Sequence, residues 1–284
     1  MNDKPRVAFV GLGRMGGPMS DHLPAAGFDV AVYDVAPAAM EARVDRGARA
    51  ATSPADAARE ADVVSIVVFD ADQARAVLAG PDGLLATLAP GAVVCVHTTV
   101  SLDAIRELAA TAEPHGVTVL DAGISGGEPG AAKGTLLTMV GGPADALERA
   151  RPVLDAYSKA VLHAGPLGTG MALKLARNAT SFAFMAVVHE ALVLADAAGV
   201  ELAMLRQALE TTGLFEQSLT PITLGPPVPL ADDAPAAFRS TLEHAVAMAD
   251  KDLDQAIRLA ADLGVPSDLF AHTRANFAPV MRVG

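Results

Sequence analysis

Two patterns of apolar and polar residues divide the chain. Up to about residue 165, short apolar runs alternate with segments that carry apolar residues at helical spacing, which is typical of βαβ units and a mostly parallel sheet. The predicted strands are Arg6–Val10, Phe28–Tyr33, Asp62–Val68, Ala92–His97, Thr118–Asp121, Leu136–Val140 and Ala160–Ala164. The predicted helices between them are Met15–Ala26, Ala38–Arg46, Pro54–Ala61, Ala71–Leu78, Leu102–Ala112 and Ala144–Ala156.

Beyond residue 165 the strand pattern is absent and long helical patterns follow. The segment from Met171 to Ala198 contains neither Pro nor Gly, and Gly199 ends it. A helix of this length spans roughly 40 Å, and its apolar circumference predicts burial against its own domain or another subunit. Further helices are predicted over Glu201–Thr212, Ala236–Leu263 and Ser267–Met281, with a loop over Pro221–Pro235.

The first apolar run ends in a glycine-rich turn, Gly11-Leu12-Gly13-Arg14-Met15-Gly16, and Asp34 closes the second run. In such a turn the first glycine permits the sharp bend, the second lets backbone approach a pyrophosphate, and the third lets the helix pack on the strand. N–H groups at the helix N-terminus attract phosphates. The Asp34 carboxylate is placed to accept both ribose hydroxyls and to repel a 2′-phosphate. We therefore predict dinucleotide binding, with NAD favoured over NADP.

These patterns define the predicted fold class. An α/β N-terminal Rossmann-type dinucleotide-binding domain is expected over residues 1–165. An all-α C-terminal domain for substrate binding and dimerisation is expected over residues 166–284. A long interdomain helix at about 169–198 joins them. A chain of 284 residues is long enough to bury a substantial core in both.

Composition excludes several function classes. The net charge of −12 disfavours nucleic acid and anionic membranes as partners. Cys95 is the only cysteine, which leaves no disulfide within the chain, and no histidines are paired at helical metal-site spacing, so no metal is predicted. No uncharged apolar stretch reaches about 18 residues, so no membrane span is expected. Because Met1–Pro5 runs directly into the first strand, no signal peptide is expected and the protein is predicted to be cytoplasmic.

Residues suited to chemistry occur in two places. Asp121–Gly130 is predicted to be a turn, and within it Ser125-Gly126-Gly127 presents N–H groups suited to a carboxylate, although a plain turn explains it equally well. Lys174 and Asn178 lie four residues apart and share one face of a strongly apolar helix. On such a helix we expect both to point into a cleft. Lys174 would then exchange a proton with a substrate oxygen, and Asn178 would orient the substrate.

Two other residues have two interpretations each. His97 ends a predicted strand, where ligands bind in open α/β sheets, and a hydrogen-bonding role explains it as well as a catalytic one. Lys251, within Asp250–Asp254, either reaches the same cleft or lies on a solvated helix face. Taken alone, Lys251 fits the solvated face better.

These motifs, in this order, resemble the β-hydroxyacid dehydrogenases, the family of 3-hydroxyisobutyrate dehydrogenase and tartronate semialdehyde reductase, over nearly the whole chain. Gly-Leu-Gly-x-Met-Gly-x-Pro-Met at residues 11–19 is specific to this group. The family's Asp-Ala-Pro-Val-Ser-Gly-Gly motif corresponds to Asp121–Gly127, with Gly123 and Ile124 replacing Pro and Val. Gly-x-Gly-x-x-x-Lys-x-x-x-Asn is intact at residues 168–178, and Lys-Asp-Leu stands at 251–253.

The resemblance implies roles for individual residues. It implies that Lys174 is the catalytic acid/base and that the substrate carboxylate is bound by Ser125, Gly126, Gly127 and Asn178. It places Thr99 and Lys251 near cofactor and substrate, and Phe69 near the cofactor. It also implies a C-terminal domain like that of 6-phosphogluconate dehydrogenase, and a homodimer or homotetramer.

Three departures from the family pattern leave the identity of the small carboxylate substrate open. The chain has His97-Thr98-Thr99 where the family commonly has Ser-Ser-Thr, and Phe69-Asp70 replaces a Leu-Pro-type turn. The spacing from Phe238 to Lys251 is longer than usual, so the family's substrate-pocket Phe is not assigned to Phe238.

The resulting hypothesis is NAD-dependent hydride transfer between a small β-hydroxy acid and its semialdehyde or keto form. An imine reductase on the same fold is the enzymatic alternative. Imine reductases generally replace the lysine and usually prefer NADPH, so Lys174 and Asp34 argue against that alternative. A non-catalytic NAD-binding scaffold is the alternative of another class, and it would not need Lys174, Asn178 and the Ser125 turn together.

Overall fold

The computed structural model describes residues 4–224 and 228–283. The described residues separate into two compact units, which divide between Asn178 and Ala179.

The first unit is built on one sheet of eight strands in the order β3-β2-β1-β4-β5-β6-β7-β8. The strands are β1 Val7–Val10, β2 Val30–Tyr33, β3 Arg49–Ala50, β4 Val63–Ile66, β5 Val93–Val96, β6 Thr118–Ser125, β7 Leu136–Gly141 and β8 Ser158–Gly165. All neighbouring pairs are parallel except β6 with β7. This is a doubly wound, Rossmann-type sheet, as the sequence predicts.

Helices cover both faces of this sheet, so the central strands β1, β4 and β5 are buried on both sides, whereas β3 and β8 at the two edges are more exposed. The helices are α1 Gly16–Ala25, α2 Pro37–Val44, α3 Pro54–Ala58, α4 Ala71–Ala79, α5 Leu102–Ala112, α6 Gly127–Lys133 and α7 Ala144–Asp155. In β5, Val93 and Cys95 belong to one apolar core, and Val94 and Val96 to the other. Strands buried on both faces are apolar throughout, which is why the first half of the chain shows continuous apolar runs.

A long helix, α8 (Thr169–Ala197), begins in the first unit and continues into the second. The helices α9 Leu202–Thr211, α10 Leu214–Ser218, α11 Thr220–Thr223, α12 Ala236–Leu263 and α13 Asp268–Val280 follow it. Within the second unit, the buried Glu190 carboxylate of α8 accepts the N–H groups of Leu269 and Phe270, at 3.2 and 3.0 Å. These N–H groups begin α13 and have no partner within that helix, so Glu190 fixes α13 to α8.

The surface of α8 is unusually apolar. Phe182 and Met185 are 67% and 64% exposed. Among the described residues, α8 is the one helix long and apolar enough, by length and composition alone, to cross a membrane.

Two predictions of local structure are wrong, and one short strand was not predicted. Asp121–Gly130 is not a single turn, because β6 continues to Ser125 and α6 begins at Gly127. The strand β3 was missed because it is two residues long. The predicted loop Pro221–Pro235 overlaps the end of α11, and its residues 225–227 lie outside the described ones.

Candidate active site

The glycine-rich turn between β1 and α1 has the shape that the sequence predicts. Gly11 has φ +94°, and a Cβ there would collide with the Val67 carbonyl oxygen. A Cβ on Gly16 would collide with the Gly11 carbonyl oxygen. Both positions therefore require glycine for the fold itself.

Gly13 differs from its two neighbours in the turn. A Cβ built on Gly13 meets no atom within 4 Å. The space beside Gly13 is thus open, in front of the N-terminal end of α1, where backbone N–H groups attract phosphate. A turn that is crowded at Gly11 and Gly16 but open at Gly13 fits a dinucleotide pyrophosphate.

We expect Gly13→Ala to weaken NAD binding by at least about tenfold, because the added methyl would occupy the open space. Its melting temperature should stay close to that of the wild type. Gly91→Ala is the matched control: Gly91 also has no atom near its Cβ position, has φ +92° and lies outside the turn. The control should lose some stability but keep its affinity. Equal NAD affinity of Gly13→Ala and the wild type, by calorimetry, would refute this use of the turn.

Asp34, at the end of β2, is bound to the same turn. Its Oδ2 accepts the Leu12 N–H at 2.6 Å, and its Oδ1 accepts the Ala36 N–H at 2.8 Å. Each carboxylate oxygen has a second lone pair, so both remain able to accept ribose hydroxyls. The next residue, Val35, is exposed and apolar, and provides no cation for a 2′-phosphate.

The start of α8 is fixed by a buried carboxylate. Asp121 in β6 is fully buried, and its two oxygens accept the N–H groups of Gly168 and Met171 at 2.7 and 2.6 Å. A Cβ on Gly170 would lie 2.5 Å from the Met139 carbonyl oxygen, so only glycine lets α8 approach β7 this closely. The sequence predicted the glycines but not the role of Asp121.

Lys174 lies a little more than one turn into α8 and, like Asp121, is a buried ionisable residue. Lys174 is only 6% exposed, whereas Leu173 and Leu175 on either side are exposed. Its stem packs against Gly123 of β6: a Cβ on Gly123 would be 2.8 Å from Lys174 Cδ. Burial lowers the pKa of the Lys174 amine below its ordinary value.

The other predicted substrate-binding residues lie on or beside three elements of the same unit, β6, α6 and α8. Ser125 is the last residue of β6, and Gly126 and Gly127 follow with φ values of +131° and +62°. Asn178 is on the same side of α8 as Lys174, and its Oδ1 accepts a hydrogen bond from Arg177 Nη1 at 3.3 Å.

Three predicted cofactor-binding residues are exposed. Phe69 follows β4 and Thr99 follows β5, both at the carboxyl ends of parallel strands, where ligands bind in such sheets. Phe69 is 88% exposed. Lys251 is in the second unit, on α12, with its ammonium 3.2 Å from the Asp252 carboxylate.

His97 does not face open space. It is buried, its Nδ1 lies 2.7 Å from the Ala122 carbonyl oxygen, and its Nε2 lies 3.1 Å from the Tyr157 hydroxyl. The pKa of His97 is lowered to about 4, chiefly by burial and to a smaller extent by the Lys174 charge, while the hydrogen bond to the Ala122 carbonyl opposes the shift. Of the two interpretations of His97, the structure supports hydrogen bonding. Tyr157 was missed because nothing in its local sequence marks it as a partner of His97.

Comparison with known proteins agrees with this geometry. A sequence-family model described as the NAD binding domain of 6-phosphogluconate dehydrogenase matches residues 6–165. A second model, described as NAD-binding of NADP-dependent 3-hydroxyisobutyrate dehydrogenase, matches residues 168–284. The chain belongs to the β-hydroxyacid dehydrogenase family. It is therefore an oxidoreductase that uses a nicotinamide dinucleotide.

Among members of this family, the chain is 34% identical to a 3-hydroxyisobutyrate dehydrogenase of Pseudomonas aeruginosa, over 96% of this chain and 91% of the relative. It is 40% identical to an NAD-dependent L-serine dehydrogenase of the same organism, over 72% of this chain and 68% of that relative. The crystal structure of a putative oxidoreductase from Mycobacterium avium, 31% identical in sequence, superposes with a TM-score of 0.86. The match covers 99% of this chain and 100% of that chain. An imine reductase from Myxococcus stipitatus, 20% identical in sequence, shares the fold with a TM-score of 0.78. The match covers 96% of this chain and 92% of that chain.

Proposed function

We propose that this protein is an NAD-dependent dehydrogenase that transfers a hydride between a small β-hydroxy acid and its semialdehyde or keto form. The observation that carries the proposal is the buried Lys174, packed on β6 in the unit that also holds the dinucleotide turn. The names of its dehydrogenase relatives support the substrate class.

In this proposal Lys174 moves the proton. A free lysine amine has a pKa near 10.4, too high for an efficient base at neutral pH. Burial lowers that pKa and increases the share of neutral amine, which takes the proton from the substrate hydroxyl during oxidation. In the reverse direction the ammonium form donates the proton to the carbonyl oxygen. The bound dinucleotide supplies the hydride chemistry.

The residues after β6 are suited to hold the substrate carboxylate. The first backbone N–H groups of α6, which begins at Gly127, have no acceptor within the helix itself, and such groups favour an anion. The Ser125 hydroxyl and the Asn178 amide add two neutral donors. Together these N–H, hydroxyl and amide groups would bind and orient the substrate carboxylate, so the carboxylate would not need to pair with the Lys174 amine.

We propose that NAD is the preferred cofactor, because the Asp34 carboxylate directly after β2 would repel a 2′-phosphate and Val35 provides no cation to bind one. The wild type should show a kcat/KM for NAD at least about tenfold above that for NADP. In the double variant Asp34→Asn/Val35→Arg the carboxylate is removed and a cation is added, so the preference should reverse. Val35→Arg alone is the control, and it should retain NAD preference. A wild type that uses NADP as well as NAD contradicts this assignment.

We further propose that two copies of the chain associate through α8, in a cytoplasmic homodimer or a homotetramer built from it. Large apolar side chains such as Phe182 and Met185 are exposed over this helix, and apolar patches of that kind mark association sites. Light scattering after gel filtration should give at least twice the mass of one chain. Phe182→Ser/Met185→Glu should lower the mass to that of one chain. A monomeric wild type that floats with lipid vesicles would show that α8 binds membrane instead.

Two other functions remain as alternatives. The fold shared with imine reductases favours the first, and the presence of Lys174 argues against it. A non-catalytic NAD-binding scaffold is the second. Turnover of a cyclic imine would support an imine reductase, and NAD binding without turnover of any β-hydroxy acid or imine would support a scaffold.

A further inference from the structure

We propose that His97 is a positioning residue: through the Ala122 carbonyl it holds β6 in the place where Gly123 supports the Lys174 side chain. This inference rests on the proposed role of Lys174 as the acid/base.

The direction of the hydrogen bonds follows from the groups present. The Ala122 carbonyl oxygen can only accept, so His97 Nδ1 carries the hydrogen and donates it. In the neutral ring Nε2 then accepts, and the Tyr157 hydroxyl donates to it at 3.1 Å. The Ser65 hydroxyl lies 3.3 Å from both Nε2 and the Tyr157 oxygen. The chain from Tyr157 to Ala122 thus has one defined polarity.

This chain of hydrogen bonds is enclosed on all sides. Ser65 and Tyr157 are fully buried, and the Tyr157 ring packs edge-on against both His97 and Phe9. Buried polar groups that are fully paired specify a single arrangement, because breaking any bond leaves an unsatisfied group in apolar surroundings. His97 is therefore held in one orientation.

The Ala122 carbonyl lies where strand pairing between β5 and β6 has ended. The last pair of that ladder is Val96 with Asp121. Beyond it, the His97 side chain binds the next residue of β6 in place of a backbone partner. On its other side, β6 still pairs with β7, with Gly123 opposite Met139.

Lys174 depends on this segment of β6. No room for even a methyl group exists between Gly123 and the Lys174 side chain, since a Cβ would lie 2.8 Å from Cδ and 3.0 Å from Cβ of Lys174. A shift of β6 at Ala122 would therefore move the amine. Misplacement of a catalytic group by about 1 Å can cost about a hundredfold in rate.

The experiment compares variants of the hydrogen-bond chain in the whole protein. His97→Leu removes the donor at similar size, His97→Asn keeps an N–H donor near the Nδ1 position, and Tyr157→Phe removes the outer donor. Val94→Ala is the control, since Val94 is in the same strand but faces the other core. For each we would measure kcat, KM, NAD affinity and the rate at which trinitrobenzenesulfonate modifies Lys174, by mass spectrometry and against pH.

For His97→Leu we expect kcat to fall by about ten- to a hundredfold, with KM and NAD affinity within about threefold and a changed pH profile of Lys174 modification. His97→Asn should restore kcat to within about fivefold of the wild type, and Tyr157→Phe should lie between the two. Val94→Ala should lower the melting temperature only.

Two results would overturn the inference. One is a folded His97→Leu, or Tyr157→Phe if the former does not fold, with wild-type kcat and wild-type Lys174 modification. The other is a loss of kcat in Val94→Ala equal to that in His97→Leu, which would indicate general destabilisation. Failure of the proposed function can be distinguished from failure of this inference. If Lys174 is not the acid/base, Lys174→Met will keep full turnover. The rate at which Lys174 is modified reports the position of its side chain and requires no turnover.

Discussion

Replacing Lys174 with methionine is expected to lower kcat by about 10²- to 10⁴-fold while leaving NAD affinity within about twofold. Methionine keeps an unbranched apolar stem to pack on Gly123, but it has no exchangeable proton. The dinucleotide turn at Gly11–Gly16 is a separate part of the first unit, so its affinity should not change. Steady-state rates and calorimetry on the same preparations measure the two effects separately.

The wild-type pH profile provides a second test of the same role. In the proposed mechanism oxidation requires the neutral Lys174 amine, so kcat/KM for oxidation should rise with pH through the lowered pKa of Lys174. Reduction requires the ammonium form, so its rate should fall as pH rises through the same pKa. Both of these pH dependences, of oxidation and of reduction, should be absent in Lys174→Met. Lys159→Met, which changes an exposed lysine of β8, is the control and should behave as the wild type. Wild-type rates in Lys174→Met would exclude Lys174 as the acid/base.

Replacing Asp121 with asparagine is expected to lower the free energy of unfolding by about 2–4 kcal/mol and to reduce kcat as well. The carboxylate accepts two backbone N–H groups at the start of α8, from Gly168 and Met171. Asparagine has one oxygen, so one of these N–H groups would face an NH₂ group in a fully buried place. The start of α8 would then shift, and Lys174 with it. Urea unfolding followed by circular dichroism, together with kcat, measures both effects.

An exposed aspartate provides the control for that change. Asp103 pairs with Arg106 at 2.9 Å on the surface of α5, and Asp103→Asn should cost less than about 0.5 kcal/mol. If Asp121→Asn were as stable and as active as Asp103→Asn, the carboxylate would not be what fixes α8.

The features predicted correctly are those whose cause is local. Glycine is required at Gly11 and Gly16 by the backbone conformation and by atoms close to these residues, so the motif alone indicates the turn. The parallel sheet follows from short apolar runs, because strands buried on both faces need apolar residues at every position. The long helix α8 follows from a segment without Pro or Gly.

The features that were missed depend on contacts between distant residues. Asp121 reads as the first residue of a turn, yet its role is set by Gly168 and Met171, which lie far along the chain. His97 reads equally as catalytic or structural until Tyr157 is seen beside it. Periodicity and local motifs report which face of an element is buried, but not which polar group from another element meets it there.

The most direct test of the proposed function is NAD reduction by a panel of β-hydroxy acids that includes 3-hydroxyisobutyrate and L-serine, assayed with the wild type and with Lys174→Met. A cyclic imine with NADH and NADPH serves as the comparison class. We predict turnover of at least one β-hydroxy acid with NAD, its loss in Lys174→Met, and no turnover of the imine. Imine reduction by both proteins, with no β-hydroxy acid oxidised by either, would contradict the account.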